Sequence, residues 1–469
     1  MKKFFKKYIG TKIFYKQVFI IILPIMLQQL LMNLAGYVDN VMINSYGGNA
    51  NAYNGVNAAN RFIFVCNFIF IGLAACASIF IAQYFGAKNK DKINESVRLG
   101  LIVSLIFGFL CFGAITLFGN NVVNLFVQSE DIRAYGYEYL RYIRYGVILS
   151  AIIVTFGTAF RSVGRPKIAL INAIIGIVVN VFFNWCMIFG HLGFSPMGAK
   201  GAAIATDLSR VAELTGYIIL ILFEKKSWFY GCFKKFRISL PLVREYIKRA
   251  IPLVFNELLF SIGAVLLARY CTYKNDTWYN AYAYAQNISE LFFIVFAGLG
   301  NGTGIIIGSA LGNDELDKAL EYSFYFKGLA VMMGLIVGVL MIILAPLIAK
   351  LFNPSDEVYP LLMSILRITA ICMAIYCYNS VCFFILRAGG DAVKAFILDQ
   401  VPTYIISVPI AIIFGINANK LGIGLVAVYA LTHIADFLKI FMANFFVSKK
   451  TWLVNITRRV EDKLEANES

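Results

Sequence analysis

Two halves of the chain echo each other at a constant spacing, and that spacing limits the folds open to it more than any other feature. Gly86 followed by Asp91 and Lys92 recurs as Gly312 followed by Asp317 and Lys318. Leu125, Phe126 and Ser129 recur as Leu351, Phe352 and Ser355; Arg141, Arg161 and Gly164 recur as Arg367, Arg387 and Gly390. Each subtraction, such as 312 minus 86, gives 226. Of the 469 residues, 60% are hydrophobic and only 14% charged, too little polar surface to coat a water-soluble globule. A duplicated chain of this composition belongs in a bilayer as an all-α membrane protein.

Apolar runs lie near residues 18–43, 62–85, 99–118, 147–160, 168–189 and 202–223, and again near 251–270, 281–311, 328–351, 365–386, 396–414 and 421–446. Most approach the roughly 20 residues that cross a bilayer, so about 12 transmembrane helices are expected. Six spans separate each residue from its counterpart. An even number means that both halves enter the membrane in the same sense, as parallel repeats. The longest polar connection, Glu224 to Arg237, falls at the midpoint. The expected organisation is therefore a six-helix lobe over 1–226, a linker at 227–238, a second six-helix lobe over 239–452 and a polar tail at 453–469. Twin bundles of this kind commonly place a substrate site between repeats, which makes a transporter the first functional hypothesis.

Basic residues accumulate in alternate connections: Lys2, Lys3, Lys6 and Lys7, then Lys88 and Lys90, Arg161 and Lys167, Lys225 to Arg237 including Lys235, Arg387 and Lys394, and finally Lys449 to Arg459. Positive residues stay on the cytoplasmic side, so both termini are expected there. The formal charge of +16 is read as this retention signal and as lipid-headgroup contact, not as nucleic-acid binding. Nine cysteines without metal-ligand spacing read as small core residues, and two histidines, His191 and His433, are too few for a catalytic triad or a histidine metal centre. No enzyme activity and no cofactor is expected.

The informative residues are polar ones inside apolar spans. Asp39 in the first span carries a cost of roughly 2.5–3.5 kcal/mol at the bilayer centre, so it should face a cavity, bind a cation or take up a proton, unless it lies near the interface as a cap. Asn180 and Asn184, four apart, share one helix face and suit a monovalent cation, a substrate hydrogen bond or interhelical packing; Thr206 adds a hydroxyl. Asp207, Arg210 and Glu213 read as an internal ion pair. Glu257 is the second deep carboxylate, with Tyr376 and Asn379 as neighbouring candidates. Pro24 and Pro252 interrupt the first and seventh spans and can bend them. Gln29, Asn33, Asn256 and Gln286 are candidates for lining a substrate cavity. Na+ is a candidate ligand at Asp39 or Glu257.

Together, Pro24 with Val38-Asp39, Gly86-Ala87, the run from Arg161 to Gly164, Asn180 with Asn184, the stretch from Gly193 through Thr206, and Pro252 with Glu257 resemble the multidrug and toxic compound extrusion family, in its NorM-like bacterial branch. The resemblance covers nearly the whole chain. It implies two lobes forming a V, alternating access, and Na+- or H+-driven export of amphipathic cationic or zwitterionic compounds by a monomer in the bacterial inner membrane. Position by position, it places Asp39, Asn180 and Thr206 in a first-lobe coupling region, Glu257 in a second-lobe acidic site, and Pro24 at the bend. Some members carry a carboxylate where Asn184 stands, so a first-lobe site here has one charge fewer. The tenth-span acid that accompanies Glu257 in its branch is replaced by the neighbourhood of Tyr376 and Asn379. The rival is a lipid-linked oligosaccharide flippase of the same superfamily, whose pyrophosphate cargo calls for a basic cavity, whereas the deep charges Asp39 and Glu257 are acidic.

Overall fold

Lipid offers no partner to a backbone N–H or C=O, so each apolar run closes its hydrogen bonds on itself as a helix. The structure, a computed structural model, describes residues 7–45, 50–124, 127, 129–234 and 236–468. Lys2, Lys3, Lys6, Leu125, Phe126 and Lys235, used above, lie outside the described residues. Among those described there is no strand. The helices are α1 (Lys12–Ser45), α2 (Ala50–Gly86), α3 (Lys90–Asn124), α4 (Glu130–Ser162), α5 (Pro166–Phe189), α6 (Ala199–Phe223), α7 (Leu240–Cys271), α8 (Asp276–Gly312), α9 (Leu316–Leu351), α10 (Val358–Ala388), α11 (Ala392–Ile416), α12 (Leu425–Ser448) and the tail helix α13 (Ile456–Glu468). Eleven of them are long and apolar enough to cross a membrane. The twelfth span, α6, misses that standard because Asp207, Arg210 and Glu213 sit within it.

The spacing of 226 reaches into backbone detail. It carries α2 onto α8 from first residue to last, Ala50 to Asp276 and Gly86 to Gly312. It also carries the left-handed Lys88 (φ 55°) onto Asp314 (φ 58°), and Gly164 (φ 72°) onto Gly390 (φ 74°). The closing bonds match as well: Asn89 N–H donates to Tyr84 O, as Glu315 N–H does to Ala310 O, and Arg165 N–H donates to Phe160 O, as Asp391 N–H does to Leu386 O. These left-handed caps satisfy the last carbonyls of each helix.

The chain divides into two compact units. One comprises residues 1–26 with 251–459, and the other 27–250 with 460–469. Thus α1 and α7 are each split between units, at Met26/Leu27 and Ala250/Ile251, within two residues of Pro24 and Pro252. In the first unit Phe14, Val18 and Ile22 pack with Leu299, Phe326 and Leu386. In the second, Val56, Phe70, Leu140 and Val147 form the core, and the Tyr246 hydroxyl donates to Leu73 O at 2.8 Å.

Small residues let the helices approach closely, which replaces the hydrophobic driving force that lipid removes. Gly334 and Gly338 of α9, four apart, meet Ala374 and Ala370 of α10; a Cβ on Gly338 would stand 2.5 Å from Ala370 O. A side chain there must push the backbones apart. Gly338→Leu should therefore cost several kcal/mol, on the order of the 1–3 kcal/mol or more of overpacking, read as a lowered melting temperature of the purified protein, whereas Gly36→Leu, with open space around its Cβ position, should not.

The connection between α6 and α7 is not a loose polar loop. Phe229 and Cys232 are fully buried. Glu95 Oε1 accepts from Ser239 N–H at 2.7 Å and from its hydroxyl at 2.5 Å, while Arg98 donates to Cys232 O at 2.8 Å. Burial pushes the Cys232 thiol up to about 11 against the pull of Arg98, so roughly one thiol in a thousand is ionised at pH 8. All nine cysteines are buried thiols outside any disulfide. The native protein should take up less than about one equivalent of maleimide at pH 8, and all nine thiols should react once it is unfolded; rapid labelling of Cys232 in the native state would contradict this packing.

Candidate functional site

In the unit formed by 27–250, one chain of hydrogen bonds joins three helices. Asn180 and Asn184 stand one turn apart on α5, facing α1 and α6, as their spacing requires. Asn184 Nδ2 donates to Asp39 Oδ1 at 2.6 Å and to Asn180 Oδ1 at 3.2 Å. Asn180 Nδ2 donates to Thr206 Oγ1 at 3.3 Å, and the Thr206 hydroxyl donates back to Ala202 O at 2.9 Å. The four first-lobe residues singled out in the sequence are therefore contiguous. Asn184 spends both amide hydrogens on acceptors, which leaves its own Oδ1 buried without a partner. Among the described residues no basic group lies within 4.0 Å of the Asp39 carboxylate.

The charges of α6 depart from expectation. Arg210 pairs with Glu213 at 2.8 Å, but Asp207 stands outside that pair, its Oδ1 buried and unpartnered. It is lodged against α4 where Gly146 leaves space; a Cβ at that glycine would strike the carboxylate. Gln29 donates to Asn33 at 3.1 Å along one face of α1, both half-buried.

The other unit answers differently. Glu257, in α7 beyond Pro252, lies 3.9 Å from Arg387 Nη1 of α10, and their side chains are 15% and 10% exposed. Arg387 reads in the sequence as a cytoplasmic-loop residue; it is buried, and Lys439 is a second interior base, so the deep charges of the chain are not all acidic. Lys439 of α12 lies 3.4 Å from Asp399 of α11 and 3.9 Å from Asp436. Asn256 and Gln400 each donate to Asp399 Oδ2, at 3.2 and 2.9 Å. Asn379 donates to the backbone carbonyl of Asp436 at 3.0 Å, and the Tyr376 ring lies 5.9 Å from that of His433. Gln286 sits half-buried on α8. Neither Tyr376 nor Asn379 has a hydrogen bond to Glu257 in this arrangement; Asn256, proposed as cavity lining, is a member of the charged cluster.

Asp399, Gln400, Asp436 and Lys439 escaped the sequence reading because single charges vanish inside long apolar runs. The repeat held the missing signal. Shifted by 226, Arg210 and Glu213 fall on Asp436 and Lys439, an i,i+3 pair of opposite polarity, and Asp207 falls on His433. Among the described residues no group of three or more His, Cys, Asp or Glu side chains is arranged to hold a metal ion.

The MatE family model matches this chain twice, over residues 24–186 and 252–416, one copy for each repeat. The chain belongs to the MatE family. Relatives over most of its length include the "Uncharacterized transporter YisQ" of Bacillus subtilis, 25% identical over 88% of this chain and 89% of that protein, and a "Probable multidrug resistance protein NorM" of Thermotoga maritima, 22% identical over 85% of each. Solved structures with the same fold include a MATE in the bent conformation, with a TM-score of 0.82, 20% identity, and coverage of 94% of this chain and 97% of that one. An outward-facing multidrug resistance MATE transporter matches with a TM-score of 0.82 and 21% identity over 93% and 97%. As a MatE protein, the chain is a multi-pass membrane transporter and not an enzyme.

Removing one partner of a buried ion pair strands the other, and restoring neutrality relieves it. Arg387→Met should lower the melting temperature, by up to the roughly 3–5 kcal/mol of a broken buried pair, and Glu257→Gln in that background should recover part of the loss. Simple additivity of the two variants would show that the carboxylate and the guanidinium are not coupled.

Proposed function

We propose that this MatE protein is a secondary active multidrug exporter that couples the entry of Na+ or H+ to the efflux of amphipathic cationic or zwitterionic compounds by alternating access, acting as a monomer in the bacterial inner membrane with both termini cytoplasmic. The observation that carries the reading is the Asp39 carboxylate, half-buried on α1 six residues before its end at Ser45, held at 2.6 Å by a neutral amide with no base within 4.0 Å among the described residues. A membrane carboxylate in that condition has affinity for a mobile positive charge. The residue set fits a hard monovalent ion: Asp39, Asn180, Asn184 and Thr206 each carry an oxygen ligand, and Asn184, whose Nδ2 now faces Asp39, has its Oδ1 buried without a donor. A ligand shifts a two-state carrier only through different affinity for the two states. Asp39 meets that need if its hydrogen bond to Asn184 is exchanged for the ion in one state. The names of the NorM relatives support multidrug cargo.

The flippase alternative draws less support at the two bases of the acidic cluster, which face carboxylates, whereas the buried Lys327 and the half-buried Arg161 have no carboxylate within 4.0 Å among the described residues. Arg387 faces Glu257, and Lys439 faces Asp399 and Asp436. In reconstituted vesicles with an imposed Na+ or H+ gradient, the wild type should move a dye-like cation in a gradient-dependent way. Asp39→Asn should reduce that flux at least about tenfold while leaving folding intact, since the neutral amide cannot attract the driving ion. Undiminished gradient-driven flux in a well-folded Asp39→Asn variant would remove Asp39 from coupling, and ion-independent movement of a lipid-linked sugar would favour the flippase.

A further inference from the structure

The cluster in the 251–459 unit is loosely paired in a way that, among the described residues, recurs only at the exposed pairs Arg133–Glu130 and Arg458–Asp314, at 3.3 and 3.4 Å. Lys92–Glu95, Arg165–Glu224, Arg210–Glu213 and Lys394–Asp391 close to 2.6–2.8 Å. The interior contacts Lys439–Asp399, Lys439–Asp436 and Arg387–Glu257 stand at 3.4, 3.9 and 3.9 Å. Three carboxylates meet two bases there, a net charge of −1.

Hydrogen-bond donors are also short. Gln400 is 2% exposed, and its Nε2 serves both Asp399 Oδ2 and Asn256 Oδ1. The carboxylate fixes that orientation, because a flipped amide would point oxygen at oxygen. Gln400 Oε1 is left buried with no donor, and so is Asn379 Oδ1. His433 Nδ1 lies 2.8 Å from Tyr429 O, so that nitrogen carries a proton. A buried acceptor left without a donor is destabilising until one arrives.

Both helices that carry the cluster are irregular beside it. α11 widens into a π-helical stretch at Thr403–Ser407, just beyond Pro402 and three residues after Gln400, and α12 is interrupted at His433, while their repeat counterparts α5 and α6 run unbroken. Local π-helix is disproportionately found at functional sites. Asp399 keeps 31% of its side chain exposed.

We propose that Asp399, Asp436, Asn256 and Gln400 form a recognition site for cargo cations that carry N–H donors, guanidinium or primary ammonium groups, and that Lys439 is a resident stand-in for them. The resident identifies the chemistry, since an ammonium already occupies the carboxylate pair without closing on either member. An arriving guanidinium supplies the donors that Gln400 Oε1 and the carboxylates lack. A quaternary ammonium brings the same charge and none of the donors. This assignment rests on the export reading for its cargo class, but not on Asp39.

Binding of phenylguanidine and of phenyltrimethylammonium to the purified full-length protein, by titration calorimetry, separates the two chemistries. The wild type should prefer phenylguanidine roughly tenfold or more, the effect of one or two charge-assisted hydrogen bonds. Asp399→Asn and Gln400→Met should erase the preference. Lys439→Met, which removes the competitor, should tighten phenylguanidine about tenfold, a gain that misfolding cannot imitate. Equal binding of the two probes, or no gain in Lys439→Met, overturns the proposal; so does an Asp399-dependent response to Na+ with phenylguanidine inert, which assigns the cluster to an inorganic ion. Any of these results with gradient-driven efflux intact sinks this site alone, whereas loss of gradient dependence in the wild type sinks the exporter reading instead.

Discussion

A carboxylate within a membrane span must be compensated by something the protein supplies or by something that visits. The 2.6 Å bond from Asn184 to Asp39 supplies only a neutral dipole. Much of the surrounding architecture serves to hold that dipole in place: α5 presents Asn180 and Asn184 on one face, Thr206 anchors the far end through Ala202, and both hydrogens of the Asn184 amide are fixed by acceptors. A lysine in place of Asn184 would have neutralised the acid permanently. The amide orients the carboxylate, and the positive charge of Arg210, which also acts on Asp39, is closed on Glu213 instead.

The 251–459 unit answers the same constraint with fixed bases. Repeat-related positions carry Arg210 and Glu213 in one unit and Asp436 and Lys439 in the other, so duplication kept the spacing of a charge pair and inverted its sign. The inversion has a geometric consequence. In α6 the pair closes on itself at 2.8 Å, whereas in α12 the lysine is shared with Asp399 of the neighbouring helix and closes on neither carboxylate. One ammonium between two acids is mutually over-subscribed, and a charge held at 3.4–3.9 Å is far easier to displace than one at 2.8 Å.

The helix number and the repeat were legible in the sequence, because membrane helices must satisfy their own backbone and the repeat doubles every signal, but the helix ends were not: α4 runs Glu130–Ser162 where the apolar run covers only 147–160. The left-handed turns at Lys88 and Asp314 are the same event seen twice. The first-lobe cluster was legible too, since an Asp in an apolar span and two Asn one turn apart are conspicuous. The second cluster was not. Asp399 and Lys439 lie on different helices, and hydropathy averages a lone charge away. Arg387 was misplaced for a related reason: the rule that assigns arginines to cytoplasmic ends speaks of loops, and Arg387 lies in the last turn of α10, where a long side chain can reach back to Glu257. Pairings across helices are properties of packing, and a single sequence carries no direct record of them.

Pro24 and Pro252 acquire meaning from where the chain changes allegiance. Each lies within two residues of the point where its helix leaves one compact unit for the other, yet α1 and α7 continue through them as helix. Proline removes one backbone hydrogen bond and clashes with the preceding turn, so the helix is weakest there against bending. Asp39 lies fifteen residues beyond Pro24, about four turns, and Glu257 five residues beyond Pro252, little more than one. A bend at Pro252 therefore moves Glu257 hardly at all relative to the hinge, while the same angle at Pro24 sweeps Asp39 along an arc several times longer. If charge is to be exchanged during bending, the lever arm belongs to Asp39, in keeping with a carboxylate held by an amide instead of a base.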